Sequence, residues 1–335
     1  MQLTTAPLTA GSQIISYGAV RGSRIVPNED IIEPINSSDE WIQRRTGIRT
    51  RCYGTAADSV VTMSIEAAQQ ALAHAGLTGP DIDAVIVSTV THFEQTPSAA
   101  AYVADAIGAT PAAAFDISAA CAGYCYGIAQ ADALVRSGNA RHVLVIGAEK
   151  MSDFIDPTDR SISFLLADGA GAAIVGPSDI PAISRTIWGS DGGQAHTISQ
   201  THSWLTVRDG SDTSWPTLRQ EGPTVFKWAA FSMAKVAQDI IAAAGLSASD
   251  IDVFIPHQAN IRIIDQLVKS IGLRANVIVA RDITDTGNTS AASIPLATER
   301  LYRDSEVSGG ELALQIGFGA GLVYAGQVVR LPHRA

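Results

Sequence analysis

Cysteine, charge and long apolar runs are all scarce in this chain. Its 335 residues include three cysteines, Cys52, Cys121 and Cys125. That is too few, and too odd a number, for a disulfide framework, and it points to a reducing compartment. Lysine and arginine number 23 against 33 acidic residues, a net charge of −10. Such a balance argues against nucleic acid as the main partner, although a local basic patch can still steer an acidic protein. Nothing from Met1 to Val20 is basic or continuously apolar, so no signal peptide is expected. The most apolar central stretch, Ile117 to Ala131, lies between Asp116 and Asp132. It is shorter than the ~18 to 20 residues of a membrane span. No cluster of ligand-type residues points to a metal. The expectation is a cytoplasmic metabolic protein, off the membrane and without a metal. Apolar residues make up 46% and charged ones 17%, at a length that can hold two domains or two halves around one core.

Strand-like runs alternate with longer helical patterns, which predicts α/β layers. Ser59 to Ala75 reads as a helix closed by Gly76, and Thr224 to Ala244 as another closed by Gly245. Ala84–Ser88, Val143–Gly147, Ala170–Val175 and Val253–Ile255 read as strands. Leu312–Ile316 and Val323–Arg330 read as a closing hairpin. The stretch from Gly189 to Arg219 has no clear period and reads as an irregular loop over a site, or as plain surface.

The pattern repeats. Ala75-Gly76-Leu77 followed by Asp81-Ile82-Asp83 matches Ala244-Gly245-Leu246 followed by Asp250-Ile251-Asp252, an offset of 169 residues. Ile146-Gly147 meets Ile316-Gly317 at 170. Two halves follow, residues 1–180 and 181–335, with paired turns meeting at the centre.

One of those turns carries Cys121. Phe115 to Gly127 runs from a short strand through small residues into a helical pattern that ends at Ser137-Gly138. The free N–H groups of such a helix end carry roughly half a positive charge and should acidify the thiol below the ~8.5 of free cysteine. Ala119, Ala120, Ala122 and Gly123 leave room for a bulky group at the sulfur. Alone, this stretch reads equally as a nucleophile or as a small packed cysteine. The second half adds His257 straight after a buried strand and Asn288 in a Gly-containing turn. It also adds the Gly-rich Phe318-Gly319-Ala320-Gly321 turn, with backbone N–H groups for an oxyanion. Singly, His257 reads as structural and Asn288 as a helix cap. Together with Cys121, in matching positions of a duplicated fold, they read as a catalytic set.

Ala-Ala-Cys121-Ala-Gly, Pro-His257-Gln-Ala-Asn and Gly-Asn288-Thr-Ser-Ala-Ala-Ser resemble the Cys-His-Asn triad of β-ketoacyl-[acyl-carrier-protein] synthase III. The resemblance extends from Val20 to the end and includes Ser37–Ile42, Arg45–Ile48, Asp156–Arg160 and Asp168–Ala172. It implies the thiolase fold, five layers αβαβα, internally duplicated, and a homodimer. It implies a condensing acyltransferase that starts type II fatty-acid synthesis. Cys121 takes the acyl group of an acyl-CoA, which is a substrate rather than a cofactor. Malonyl-acyl carrier protein then loses CO2 against the N–H groups of His257 and Asn288, and its carbanion attacks the acyl-cysteine. The backbone of Cys121, Gly319 and Ala320 would hold the oxyanion.

By the same resemblance, CoA adenine lies on Trp41, with Arg45, Thr46 and Arg160 near the nucleotide. Gly222, Phe226 and Asn260 line the pantetheine tunnel. Lys227, Gln258, Arg262 and Lys269 form the docking face for the acidic carrier protein. Thr96 stands where some acetyl-preferring relatives carry a bulky aromatic that reaches the other subunit's acyl pocket, which implies room for branched or longer primers. A degradative thiolase would need a second cysteine in the C-terminal Gly-rich turn, and Ile316-Gly317-Phe318-Gly319 has none. A plant-type polyketide synthase is usually longer and lacks the docking face. A papain-like protease has the same Cys, His, Asn order with the wrong flanking residues. The nearest rival is a synthase III-like starter enzyme of a secondary-metabolite (polyketide) pathway.

Overall fold

The computed structural model describes residues 9–333 and contains two five-stranded sheets built on one plan. The first takes β1 (Gly11–Arg21), β2 (Ala84–Ser88), β3 (Ala113–Ile117), β4 (Val143–Lys150) and β5 (Asp168–Ser178). Its order is β3-β2-β4-β5-β1. The second takes β6 (Ile187–Ser190), β7 (Val253–Pro256), β8 (Ile278–Val279), β9 (Leu312–Gly319) and β10 (Val323–Arg330). Its order, β8-β7-β9-β10-β6, is the same when counted within each half. In both, the second strand pairs in parallel with the third and fourth, and the fifth pairs antiparallel with the fourth and first.

Alternation along the strands sets the layers, because successive side chains leave opposite faces of a sheet. In β4, Val143 and Val145 face the middle, while Leu144 and Ile146 face outward. The outward set packs under the Val60–Ala75 and Ala99–Ala106 helices. The inward set meets the Gly123–Arg136 and Ser293–Arg303 helices, which also touch the second sheet. On the far side, Phe254, Leu314 and Ile316 pack under Met233–Ala243 and Ile261–Ile271. Helix, sheet, helix, sheet, helix: this is the five-layered, duplicated thiolase fold. Fully buried Tyr124, Ile128 and Ile294 contribute roughly 1.5–3 kcal/mol each to closing the middle layer.

The helix ends follow the sequence. Ser59 Oγ accepts the Thr62 N–H, and Gly76, at φ +64°, ends the same helix in the left-handed region that glycine enters without penalty. The expected helix from Thr224 forms as three joined pieces: Gly222–Lys227, a π-helical turn at Trp228–Ser232, and Met233–Ala243. The Gly189–Arg219 segment is less irregular than its sequence implies. Ile198–Gln200 and Leu218–Gln220 pair as a small antiparallel sheet, and Trp204–Arg208 is a short helix.

Two glycines let the halves interlock. A Cβ on Gly147 in β4 would overlap the backbone of Ala291 in the other half. A Cβ on Gly317 in β9 would come within 2.8 Å of Ala122 Cα and 2.9 Å of the Cys121 carbonyl. Each half therefore receives the other's strand-to-helix turn against a bare glycine.

Candidate active site

The two interlocked turns have the same shape. Ala120 sits at φ +44° and Ser290 at +49°, each opening a single 3-10 turn, Ala120–Ala122 and Ser290–Ala292. Left-handed backbone at a residue with a Cβ is strained, and such positions persist where the surroundings enforce them. Cys121 is thus held on a sharp corner before the Gly123–Arg136 helix, partly exposed and free of any disulfide.

Its environment departs from the sequence expectation of an acidic thiol. Burial pushes the Cys121 thiol up to about 12, and the nearby Glu149 carboxylate pushes the same way. A hydrogen bond with Ser290 and one from the backbone pull it down without overcoming the loss of water. A helix end supplies only partial charge, and here dehydration outweighs it.

His257 follows β7 and is 2% exposed. Burial holds its imidazolium down to about 3, so the ring is neutral. Its Nδ1 lies 2.7 Å from Ser293 Oγ, which also accepts the Gln258 N–H at 3.3 Å. In the tautomer that carries its proton on Nε2, Nδ1 accepts the Ser293 hydroxyl and the Nε2–H is left as a donor. Phe318 meets the imidazole edge-on, 5.5 Å between centroids. Asn288 is fixed by its main chain, donating to Leu165 and accepting from Ala167. Its Oδ1 accepts the Ser290 N–H at 2.9 Å, which leaves the NH2 as its free polar group.

Cys121, His257 and Asn288 line one cavity of about 380 Å³ with Phe318 and Gly319. Gly319 lies against Cys121: a Cβ there would be 2.8 Å from Cys121 Cβ, 2.9 Å from Sγ and 3.3 Å from its N. The cavity extends past Gly222, Phe226 and Asn260 to Arg45, Thr46 and Arg262. At Asn260 the polar atoms are engaged locally: Nδ2 donates to the Arg45 carbonyl and Oδ1 caps the Ile261–Ile271 helix at Arg262 N. The Thr46 hydroxyl likewise donates to Ile42 O and accepts from Ile48 N. Trp41 is just outside the cavity lining, with the guanidiniums of Arg45 and Arg160 over its ring at 5.0 and 4.9 Å. Those cation–π contacts hold a flat, positively framed aromatic surface beside the cavity's Arg45.

A second cavity of about 1060 Å³ also reaches Cys121 and takes in Ala320, Ser290, Met151, Phe93, Trp204 and Trp215. Leu166, Ile198 and Leu218 border both cavities. Part of the segment expected to cover a site therefore does so. Thr96 is exposed and lines neither cavity.

Lys227, Arg262 and Lys269 are exposed, as a docking face requires. Arg262 stacks over Phe226 at 5.0 Å at the first cavity. Lys269 borders a separate surface depression with Arg274 and Arg281. Gln258 is the correction among these residues. It is 1% exposed. Its amide donates to the Pro256 and Ala280 carbonyls and accepts the Ile283 N–H. It braces the turn after His257 and presents nothing to a partner. Three residues the sequence reading left without roles are central here: Glu149, Ser290 and Ser293. The two serines lie inside the Asn288 motif; nothing local to Glu149 signals its position. Among the described residues no group of three or more His, Cys, Asp or Glu could hold a metal, and no helix is long and apolar enough to cross a membrane.

A duplicated five-layer fold with a cornered cysteine facing a neutral imidazole and a carboxamide defines a condensing enzyme of the thiolase type. Residues 115–192 match the family described as 3-oxoacyl-[acyl-carrier-protein] synthase III, and residues 241–331 match its C-terminal portion. The chain is 56% identical to β-ketoacyl-[acyl-carrier-protein] synthase III of Streptomyces glaucescens, over 96% of each chain. Its structure superposes on the priming β-ketosynthase of the R1128 polyketide biosynthetic pathway with a TM-score of 0.97, 44% identity and full coverage of both. On 3-oxoacyl-[acyl-carrier-protein] synthase III of Aquifex aeolicus the score is 0.87 at 34% identity, covering 96% of this chain and all of that one. The chain belongs to the β-ketoacyl-[acyl-carrier-protein] synthase III family and is a condensing acyltransferase.

Proposed function

We propose that the chain joins an acyl-CoA primer to malonyl-[acyl-carrier protein], giving 3-oxoacyl-[acyl-carrier protein], CoA and CO2 by way of an acyl-cysteine. The observation that carries this reading is the single cavity lined by Cys121, His257 and Asn288 and open toward Arg45 and Arg262. Cys121 Sγ attacks the thioester. The backbone N–H groups of Cys121 and the Gly319-Ala320 turn receive the oxyanion, a role supported by the close packing of Gly319 on Cys121. After CoA leaves, the malonyl thioester enters the same cavity. His257 Nε2–H and the Asn288 NH2, both neutral, stabilise the enolate oxygen as CO2 departs. The carbanion then attacks the acyl-cysteine. No step calls for a cofactor.

Adenine would stack at Trp41 between Arg45 and Arg160, with Thr46, Gly222, Phe226 and Asn260 shaping the passage inward. Lys227, Arg262 and Lys269 would dock the acidic carrier protein. The halves would join near residue 180, between the end of β5 and the start of β6. The enzyme would work in the cytoplasm as a homodimer, with Thr96 of each subunit entering the other's acyl pocket; its exposure supports that placement. A starter role in polyketide synthesis is the second reading, favoured by the R1128 superposition.

Mass spectrometry after mixing with acyl-CoA tests the proposal. One acyl group should appear on Cys121, and malonyl-carrier protein should discharge it with release of CO2. No adduct on Cys121 would refute it.

A further inference from the structure

The Cys121 sulfur needs somewhere to send its proton, and the first cavity has no base for it. There stand His257, which burial holds neutral down to about 3, and a carboxamide with no basicity to offer. On the side of the second cavity the arrangement differs. Ser290 hydrogen-bonds with the Cys121 thiol and donates its own hydroxyl to Glu149 Oε1 at 3.1 Å. The Ser290 hydroxyl thus stands between the sulfur and the carboxylate, and its oxygen keeps a lone pair that can take the thiol proton. Glu149 is 0% exposed. Its other oxygen accepts Thr91 Oγ1 at 2.6 Å, the Val90 N–H at 3.1 Å and Thr89 Oγ1 at 3.3 Å. Against those hydrogen bonds, burial pushes the carboxyl up to about 7.

The other charged groups around it are directed elsewhere. His92 and Glu94, from the loop after β2, line the second cavity, and the Glu94 carboxylate accepts from Tyr102. Asp116 in β3 accepts the Ala99 and Ala100 N–H groups. Next to Glu149 in β4, the Lys150 ammonium reaches Thr55 O and Asp153.

We propose that Ser290 and Glu149 are the proton exit for acylation, a role that rests on Cys121 being the acylated nucleophile. As Sγ bonds to the thioester carbon, the S–H proton passes to Ser290 Oγ while the Ser290 hydroxyl proton passes to Glu149 Oε1. Collapse of the adduct expels CoA as its thiolate, and the proton held on Glu149 returns through the Ser290 hydroxyl, which borders the second cavity, to solvent. Ser290 touches the reacting sulfur. Glu149 acts through it, as a positioning group and proton acceptor.

The test is the rate of CoA release on mixing with acyl-CoA, without carrier protein, from pH 5.5 to 9. The wild type should rise through one inflection near 7. Glu149→Gln should lose that inflection and slow about 100-fold, the low end of general-base effects. Ser290→Ala should do the same. It removes only the hydroxyl, at a corner whose counterpart in the other half is already an alanine, so it decides the matter if Glu149→Gln fails to fold. An inflection near 7 kept in either variant, or CoA release in both variants within a few-fold of wild type across the pH range, overturns the proposal. A wild type that shows no adduct on Cys121 sinks the acyl-cysteine reading itself, and this inference with it.

Discussion

Two buried groups near the sulfur should make stability respond to pH in opposite directions. His257 is neutral when folded, at about 3, against 6.5 for an ordinary histidine. Below pH 6.5 the unfolded chain therefore binds a proton that the folded protein refuses, and stability falls with pH until about 3. Glu149 is the reverse case, at about 7 against 4.5 for an ordinary glutamate. Between those values the folded protein binds the proton first, so stability rises as pH falls from 7 to 4.5. Each slope approaches about 1.4 kcal/mol per pH unit. From pH 7.5 to 5.0, His257 should cost about 2 kcal/mol and Glu149 return about 2 kcal/mol. In the wild type the two nearly cancel, and single variants uncover them. Urea unfolding followed by tryptophan fluorescence, at fixed protein concentration, should show His257→Gln gaining about 2 kcal/mol on acidification relative to wild type. Glu149→Gln should lose about as much. Carboxylates held low by hydrogen bonds, such as Asp39 and Asp58, are shared by all three proteins and drop out of the comparison. Three parallel profiles would refute the claim that these groups are dehydrated as described.

Other substitutions probe single contacts. Gly319→Ala places a methyl against Cys121 Cβ and Sγ, and acylation should fall at least about 100-fold, with stability down by about 1–3 kcal/mol; stopped-flow CoA release and thermal melting check both. His257→Ala and Asn288→Ala should keep acylation measurable by mass spectrometry while losing most decarboxylation of malonyl-carrier protein. Trp41→Ala should raise KM for acyl-CoA about tenfold with little change in kcat, since the ring is remote from the sulfur. Lys227→Glu should raise KM for malonyl-carrier protein without altering acylation by acyl-CoA, and added salt should narrow the gap from wild type.

Residues whose placement depends on local chain shape are legible in the sequence. Cys121, His257 and Asn288 each follow a strand or turn, with small or glycine neighbours that mark a corner. The matching glycines at 76 and 245 exposed the duplication because only glycine fits a left-handed helix end cheaply. Burial across the central junction was less visible. Gln258 stands one residue after His257 in the chain, yet its amide answers backbone groups from β7, Ala280 and Ile283 that meet only on folding. The thiol of Cys121 was expected to be acidic because the helix end is written in the sequence, whereas the loss of water around the sulfur is a product of both halves closing. The Ile198–Gln200 and Leu218–Gln220 strands were missed because three residues are too few to show alternation.

The duplication also shows how one plan yields unlike chemistry. At offsets of 169 and 170, Ser88 corresponds to His257 and Gly123 to Ser293. In the first half, a Cβ on Gly123 would overlap Ser88 Oγ, so these two positions are packed too closely to hold an imidazole and its partner. In the second half the same two positions hold His257 and Ser293, whose Nδ1 and Oγ lie 2.7 Å apart and fix the ring's orientation. Cys121 corresponds to Ala291, so a thiol exists on one corner only. Glu149 corresponds to Gly319, and both reach across to the other half's corner. Gly319 is bare and lets its backbone approach Cys121, whereas Glu149 carries a carboxylate to Ser290. A cavity that gathers one thiol, one imidazole and one carboxamide requires the halves to diverge at these positions, while the glycines at 147 and 317, which hold the corners together, stay the same.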